Sequence, residues 1–502
     1  MRMGLVTKSI IAYDEPTLEF RYGQKVEDPH DGLTLFGPYD ADLPSKPNIT
    51  YIVIGEKSGI TAFENWSNVM NLPWLNAPQE NYSLWPPFPG FHAAFNCPWP
   101  SKPVNTYPIQ DLNISALTNY KDSYQLVSYL VELYLKGLEK AALGDEQIGV
   151  AICVVPDEIW NKFRSESAKK EGAYISKSVI SNRQAGQLSF LDDYDPELYK
   201  YSLDFRRQLK ARGMKYRIPL QVIRESTLIL SDQREKGKRG LTPISDRMWN
   251  LSTTIYYKCG GKPWRLSTAR EGVCYIGIAF RRTSNIISSQ TACCAAQMFL
   301  NTGDGIVFQG EYGPWFSEKK DFHLTYDAAH NLLKGVIATY EKLEGKPLKE
   351  IFLHSRSDIS KEEFDGYQSA CPPEAKLIGI RVRQDSFRAP QLFRKGKMPI
   401  VRGSFWEIDD FSGYLWSSGY KQRFGTYDGW EVPVPLRIDI QHGYSLASSV
   451  AQDILGLTKL NYNGCKIGSS QPVTIGFSDK VGEILVSNPN VSEIRPNFKF
   501  YI

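Results

Sequence analysis

The feature that most limits what this chain can fold into is a pair of short apolar runs. Gly149 to Val155 reads GVAICVV, and Ile218 to Ile223 reads IPLQVI, broken only by Gln221. A strand without polar alternation is buried on both faces, as in a mostly parallel sheet covered by helices. Helical spacing flanks them. In DSYQLVSYLVELYLKGLEKAAL, Leu126, Tyr129, Leu130, Leu133, Tyr134 and Leu138 recur every three to four residues. Upstream, YIVIGE (Tyr51 to Glu56) reads as a buried strand and TAFENWSNVM as the helix after it. Strand and helix in alternation imply an α/β domain. Ligands of such open sheets sit at the carboxyl ends of the strands, and Gln221 is expected there.

Around Gln221 the charges gather. Asp195-Pro196 offers a cap and a first-turn proline for a helix running to about Gly213, with Arg206 and Lys210 four apart on one face. After a basic loop (QREKGKRG), a second helix runs from Ser245 to Cys259, with Lys258 in its last turn and Gly260-Gly261 to stop it. Two lysines, one glutamine and Arg206 are suitable equipment for a phosphate. From the residues alone, a solvated basic face remains open as well.

Net charge adds little. Fifty-nine basic and 55 acidic residues leave +4, too small by itself to argue for nucleic acid; the local clustering matters more. Eight cysteines (97, 153, 259, 274, 293, 294, 371 and 465) form no C-x-x-C pair, and several lie in apolar runs. They read as buried free thiols rather than a disulfide or zinc frame. No run approaches the roughly 18 apolar residues of a membrane span, and the start lacks a signal-peptide core. The expectation is a soluble protein of the cytoplasm, without a membrane partner.

Two proline-rich segments interrupt the pattern. DPHDGLTLFGPYD (Asp28 to Asp40) reads as an ordered, turn-rich connection. Asn76 to Pro108, dense in Pro and Trp and including WPPFPGF, reads as a packed loop or, around Trp85 to Trp99, as a partner surface. Beyond Gly261 a second set of elements begins. Strands are expected at VCYIGIAFRR (Val273 to Arg282), GIVFQG, KEIFLHS and KLIGIRV, with helices from about Thr325 through Tyr340 and at SKEEFDGYQSA. Arg381 to Arg402 holds six arginines or lysines from Arg381 through Lys397, interleaved with Phe387 and Phe393; it suits a nucleic-acid backbone or a solvated loop.

The order Lys210, PLQ with Gln221, then a helix ending YYKCGG resembles the MID domain of Argonaute proteins. VCYIGIAFRR and the elements after it, with LTKLNYN, PVTIGF and the closing FKFYI, resemble the PIWI domain. The resemblance implies a Rossmann-like MID domain with an N-terminal extension over 1–262 and a ribonuclease H-like PIWI domain over 263–502. It implies that Lys210, Gln221 and Lys258 hold the 5′ phosphate of a guide, probably RNA. Arg206 stands where many members carry an aromatic that stacks on the first base; stacking and phosphate binding are both open to a guanidinium. Ile502 would supply a buried carboxylate that helps hold Mg²⁺ at that phosphate.

The resemblance also bears on catalysis. Ribonuclease H chemistry needs carboxylates around two metal ions, and the first of these positions holds Ala279 in YIGIAF. The second motif reads LHSRSDIS, with Asp358 out of register, and Glu311 is the nearest candidate for a glutamate finger. The expectation is binding of a complementary DNA strand without cutting; a nuclease using displaced Asp358 and Glu311 is the alternative. An enzyme acting on a small phosphorylated metabolite at the same lysines is a further one. DPHDGLTLFGPYD and WPPFPGFHAAF resemble the start of short prokaryotic Argonautes. Those imply a defence role beside an APAZ-containing partner with a TIR or sirtuin-like, NAD-consuming effector, released by target binding and often by oligomerisation.

Overall fold

The computed structural model describes residues 10–43, 47–76, 81–110, 123–163, 203–231, 241–282, 292–299, 305–313, 323–344, 347–384, 389–427, 429, 431–485, 487 and 495–502. Within them the expected strands form two principal sheets. The first is parallel and four-stranded, in the order Asn105–Pro108, Tyr51–Gly55, Val150–Val155, Leu220–Arg224. Its two central strands are apolar and buried throughout because both faces are covered. Ile52, Ile54, Ala151 and Cys153 pack with the Ser123–Ala142 helix, while Val53, Ile152 and Val154 pack with Ile60, Trp66 and Ile255 on the other side.

The second sheet is mixed and nine-stranded. Its centre is Val273–Arg282, Glu350–Ser355 and Lys376–Gln384, all parallel; Ala292–Phe299 and Gly305–Gly313 extend one side antiparallel. On the other side follow Leu436–His442, Ser412–Leu415, Ser404–Asp409 and, at the edge, Ile10–Ala12. The Tyr326–Glu344 and Lys361–Ala370 helices cover one face. Ala447–Leu457 and the short Val473–Gly476 helix cover the other.

The approach of that short helix fixes one residue of the sheet. A Cβ on Gly277 would lie 1.9 Å from the backbone oxygen of Thr474. Backbone cannot swing aside as a side chain can, so Gly277→Ala is expected to lose about 1–3 kcal/mol or more by overpacking. A lower urea midpoint at unchanged slope is the measurement; an unchanged midpoint would count against this packing.

Several local expectations are corrected. DPHDGLTLFGPYD is no mere connection, because Pro29–Leu35 is a helix. Asp28 accepts from His30 N at 3.0 Å and Pro29 takes the first position, so the residues read as turn signals act as helix-start signals. The helix carrying Lys210 is described from Phe205 to Gly213, capped by Asp204, whose side chain accepts from Arg207 N; Asp195-Pro196 and the basic loop at 232–240 lie outside the described residues. The proline- and tryptophan-rich stretch is a packed loop holding a short helix, Phe91–Phe95. Phe88, Phe91, Phe95 and Trp99 are buried, and Trp99 stacks on Tyr51 at 4.9 Å.

The N-terminal segment joins the nine-stranded sheet and a separate three-stranded one. Ile10–Ala12 pairs with Ser404 to Trp406, while Leu18–Glu19 pairs with Lys25–Val26 and Arg265–Leu266. Between them Glu15 accepts from Arg402 and from Lys459 Nζ at 2.8 Å, both cations being fully buried. Among the described residues Cys97, Cys153, Cys259, Cys274, Cys371 and Cys465 are free thiols; nothing is described of the side chains of Cys293 and Cys294. No helix among the described residues is long and apolar enough to cross a membrane.

Candidate phosphate-binding site

Lys258 ends the Ile244–Lys258 helix, and the apolar face of that helix draws it into the interior. Its ammonium donates to Leu220 O and to Gln221 Oε1, each at 2.7 Å. Lys210, one turn beyond Arg206, donates to Tyr501 O at 3.2 Å and to Ile502 O. The chain thus brings Lys210, Gln221, Lys258 and Ile502 into one neighbourhood. Lys258 is 0 % and Lys210 2 % exposed, and the partners described for their ammonium groups are Leu220 O, Gln221 Oε1, Tyr501 O and Ile502 O rather than an Asp or Glu side chain.

Such an arrangement is electrostatically unsatisfied. Burial pulls the pKa of Lys210 well down, and Lys258, Arg206 and Lys480 depress it further. Lys258 is likewise pulled down by burial first and by Arg206 second. An anion with several acceptor oxygens would relieve all of this. Lys480 is a member that sequence reasoning missed. It follows PVTIGF in the Ser478–Leu485 helix, and its own pKa is lowered by burial and by Arg206. No local pattern marks it, since only the tertiary fold brings that helix to Phe205–Gly213.

The expected position of Gln221 is overturned. It is the second residue of Leu220–Arg224, in register with Ile152, so it stands at the amino end of the strand. The carboxyl end is closed by the chain's own groups: Asp157 accepts from Arg224 and Ser226, and Ser58 donates to Glu225.

At the far end of the nine-stranded sheet, Ala279 is buried in Val273–Arg282. Glu350–Ser355 runs beside it with Ser355 opposite Ile278. Arg356, the next residue, therefore comes beside Ala279. Asp358 belongs elsewhere: its carboxylate accepts from Arg381 and from Gln441. Arg381 also bonds Asp439 at 2.8 Å and lies opposite it across the sheet. Glu311 lies in Gly305–Gly313, with its side chain outside the described residues. Of the basic segment, Arg381 and Arg402 are held in ion pairs, whereas Phe393, Arg394, Lys395 and Lys397 are exposed; Phe387 lies outside the described residues.

Comparison with solved structures settles the fold. Clostridium butyricum Argonaute, bound to a guide DNA and a 19-mer target DNA, superposes with a TM-score of 0.62 at 15% identity over 98% of this chain and 55% of that one. A. aeolicus Argonaute gives 0.56 at 14% identity over 98% and 54%, and Aa-Ago with externally bound siRNA gives 0.56 at 15% over 99% and 56%. The fold is Argonaute-like. This chain spans about half the length of the Argonaute structures it matches. No protein-family model and no curated protein matches the sequence.

In the terms of this Argonaute-like architecture, the parallel sheet is the Rossmann-like part and the nine-stranded sheet the ribonuclease H-like part. The motifs that carried the resemblance touch: Tyr257 of YYKCGG stacks on Tyr462 of LTKLNYN at 4.6 Å. A two-metal centre does not fit the described residues. Ala279 offers no ligand, Arg356 flanks it, and Asp358 is turned to Arg381. No described group of three or more His, Cys, Asp or Glu residues could hold a metal. A single Mg²⁺ at the phosphate site is a different matter. Magnesium keeps several waters and takes few protein oxygens beside a substrate phosphate, and Ile502 O, beside Lys210 Nζ, is one oxygen within this neighbourhood.

Proposed function

We propose that this chain holds the 5′ phosphate of a guide strand, RNA by its resemblance, and captures complementary single-stranded DNA without cutting it. The observation that carries the reading is the pair of buried lysines, Lys210 and Lys258, gathered with Gln221 and Ile502 and without an Asp or Glu side-chain partner among the described residues. Arg206 stands at the mouth of this cluster, where it contacts the phosphate or the first base. Ile502 would hold a magnesium ion there, which when bound neutralises phosphate charge. Support for two nucleic-acid strands comes from the Clostridium butyricum structure, which was solved with both.

The absence of cutting rests on Ala279 and on the engagement of Asp358 by Arg381. The rest of the proposal comes from resemblance to short prokaryotic Argonautes. In it the guided complex is the sensor of an intracellular defence system. Target capture activates an APAZ-containing partner whose TIR or sirtuin-like domain consumes NAD, with assembly into a higher oligomer.

The test compares a short RNA bearing a 5′ phosphate with the same RNA bearing a 5′ hydroxyl, in Mg²⁺ and in chelator, followed by complementary DNA. A phosphate preference of roughly 100-fold, with the DNA retained at full length, is expected. Equal affinity for both RNAs would overturn the guide reading, and cleaved DNA would overturn the statement about cutting.

A further inference from the structure

Three contacts fix which face of the nine-stranded sheet each residue near Ala279 occupies. Gly277 lies against the backbone of Thr474. His354, opposite Gly277 on the neighbouring strand, bonds Thr474 Oγ1 through Nδ1 at 2.8 Å. Arg356, two residues further on, donates from Nη2 to Gln471 Oε1 at 2.8 Å. Side chains alternate along a strand, so Gly277 and Ala279 share one face, and His354 and Arg356 share it too. Leu353 and Ile351 pack against the opposite face, beneath the Tyr326–Glu344 helix. Asp358 joins Arg381 on that opposite side, since Arg381 is in register with Ser355.

Arg356 therefore occupies the place beside Ala279 from which a second metal-binding carboxylate would act. An alanine and an arginine stand where two anions would act. Metal ions in a two-metal centre hold the backbone phosphate of the strand being cut. A guanidinium offers the same phosphate a fork of donors and needs no ion. Gln471 orients the guanidinium, and Arg356 stays exposed at the strand end, where a strand can reach it.

We propose that Arg356 makes the degenerate centre a phosphate-binding site for the backbone of the captured target strand, independent of divalent metal. The inference rests on the guided-capture reading above. It adds that the site has been converted from cutting to holding.

The experiment uses the full chain loaded with 5′-phosphorylated RNA and measures affinity for complementary single-stranded DNA across a salt series. The wild type, Arg356→Gln and Arg356→Lys are compared, each with and without chelator. Loss of one phosphate contact is expected to weaken capture roughly tenfold in Arg356→Gln and to lower the slope of log affinity against log salt by about one. Guide binding should stay unchanged, Arg356→Lys should keep the slope, and chelator should leave target capture of guide-loaded protein unaltered. Equal slope and affinity for the wild type and Arg356→Gln would overturn this inference and leave guided capture standing. Capture that needs divalent metal while the guide stays bound would overturn it as well. A wild type that captures no target would overturn the guided reading, and this inference with it.

Discussion

Lys210→Ala combined with Lys258→Ala abolishes the preference for a 5′-phosphorylated guide while leaving the protein folded. Each ammonium–phosphate contact is a charge-assisted hydrogen bond of about 1.5–3 kcal/mol, so the pair carries roughly two to four decades of affinity. Binding of the phosphorylated strand should fall to the level of its 5′-hydroxyl counterpart, which itself should change little. A folded double variant that retained the preference would remove these lysines from the site. The proton balance supplies a second readout. Burial lowers both lysine pKa values in the guide-free protein, and a phosphate restores their charge, so binding takes up protons and weakens as pH rises above the lowered values. Stability of the guide-free protein moves the other way. Between the folded pKa values and the unfolded value of 10.5 the unfolded chain holds more protons, so stability increases with pH across that window.

The second large effect belongs to Glu15, between the Ile10–Ala12 and Leu18–Glu19 strands. Glu15→Gln is expected to destabilise the fold by about 3–5 kcal/mol, because it leaves Arg402 and Lys459 buried without their counterion. Burial works to raise the Glu15 carboxyl, but Arg402 and Lys459 prevail and hold it at about 2, below its ordinary 4.5. A carboxyl depressed on folding contributes its stability above 4.5 and loses it as pH falls towards 2. Urea titrations at neutral pH and near pH 3 should therefore show the variant's deficit shrinking in acid. A deficit that is small at neutral pH, or that does not change with pH, would contradict the role assigned to this carboxylate.

The sheets were largely legible because buried parallel strands announce themselves as unbroken apolar runs; YIVIG and VAICVV are strands at those residues. The lysine cluster was legible through the order of Lys210, PLQ and YYKCGG that carried the resemblance, since spacing alone left a solvated face open; Lys210 and Lys258 are carried by the last turns of two helices. What escaped depended on direction or distance. IPLQVI says that Gln221 is in a strand without saying which end of the strand meets the site. Asp358 reads as a displaced ligand until the register shows it on the other face, since one residue of slip reverses every side chain. Arg356 sat in plain view in LHSRSDIS, yet its neighbour across the sheet was knowable only from the pairing with Val273–Arg282. Lys480 and the Ile10–Ala12 edge strand reach their places through contacts between segments far apart in the chain.

That edge strand has a bearing on how the protein is made. Ile10–Ala12 emerges from the ribosome early, but its partners at Ser404 to Trp406 follow roughly 390 residues later. At ordinary synthesis rates this is a wait of roughly 20–80 s. For that time the parallel sheet can assemble while Ile10–Ala12 stays unpaired, with Glu15 still solvated and both of its cations unsynthesised. Pairing of this edge strand is thus a late event in the birth of the molecule, and slowing the ribosome shortly before Ser404 is made should lengthen the period in which a protease can cut near Ile10–Ala12.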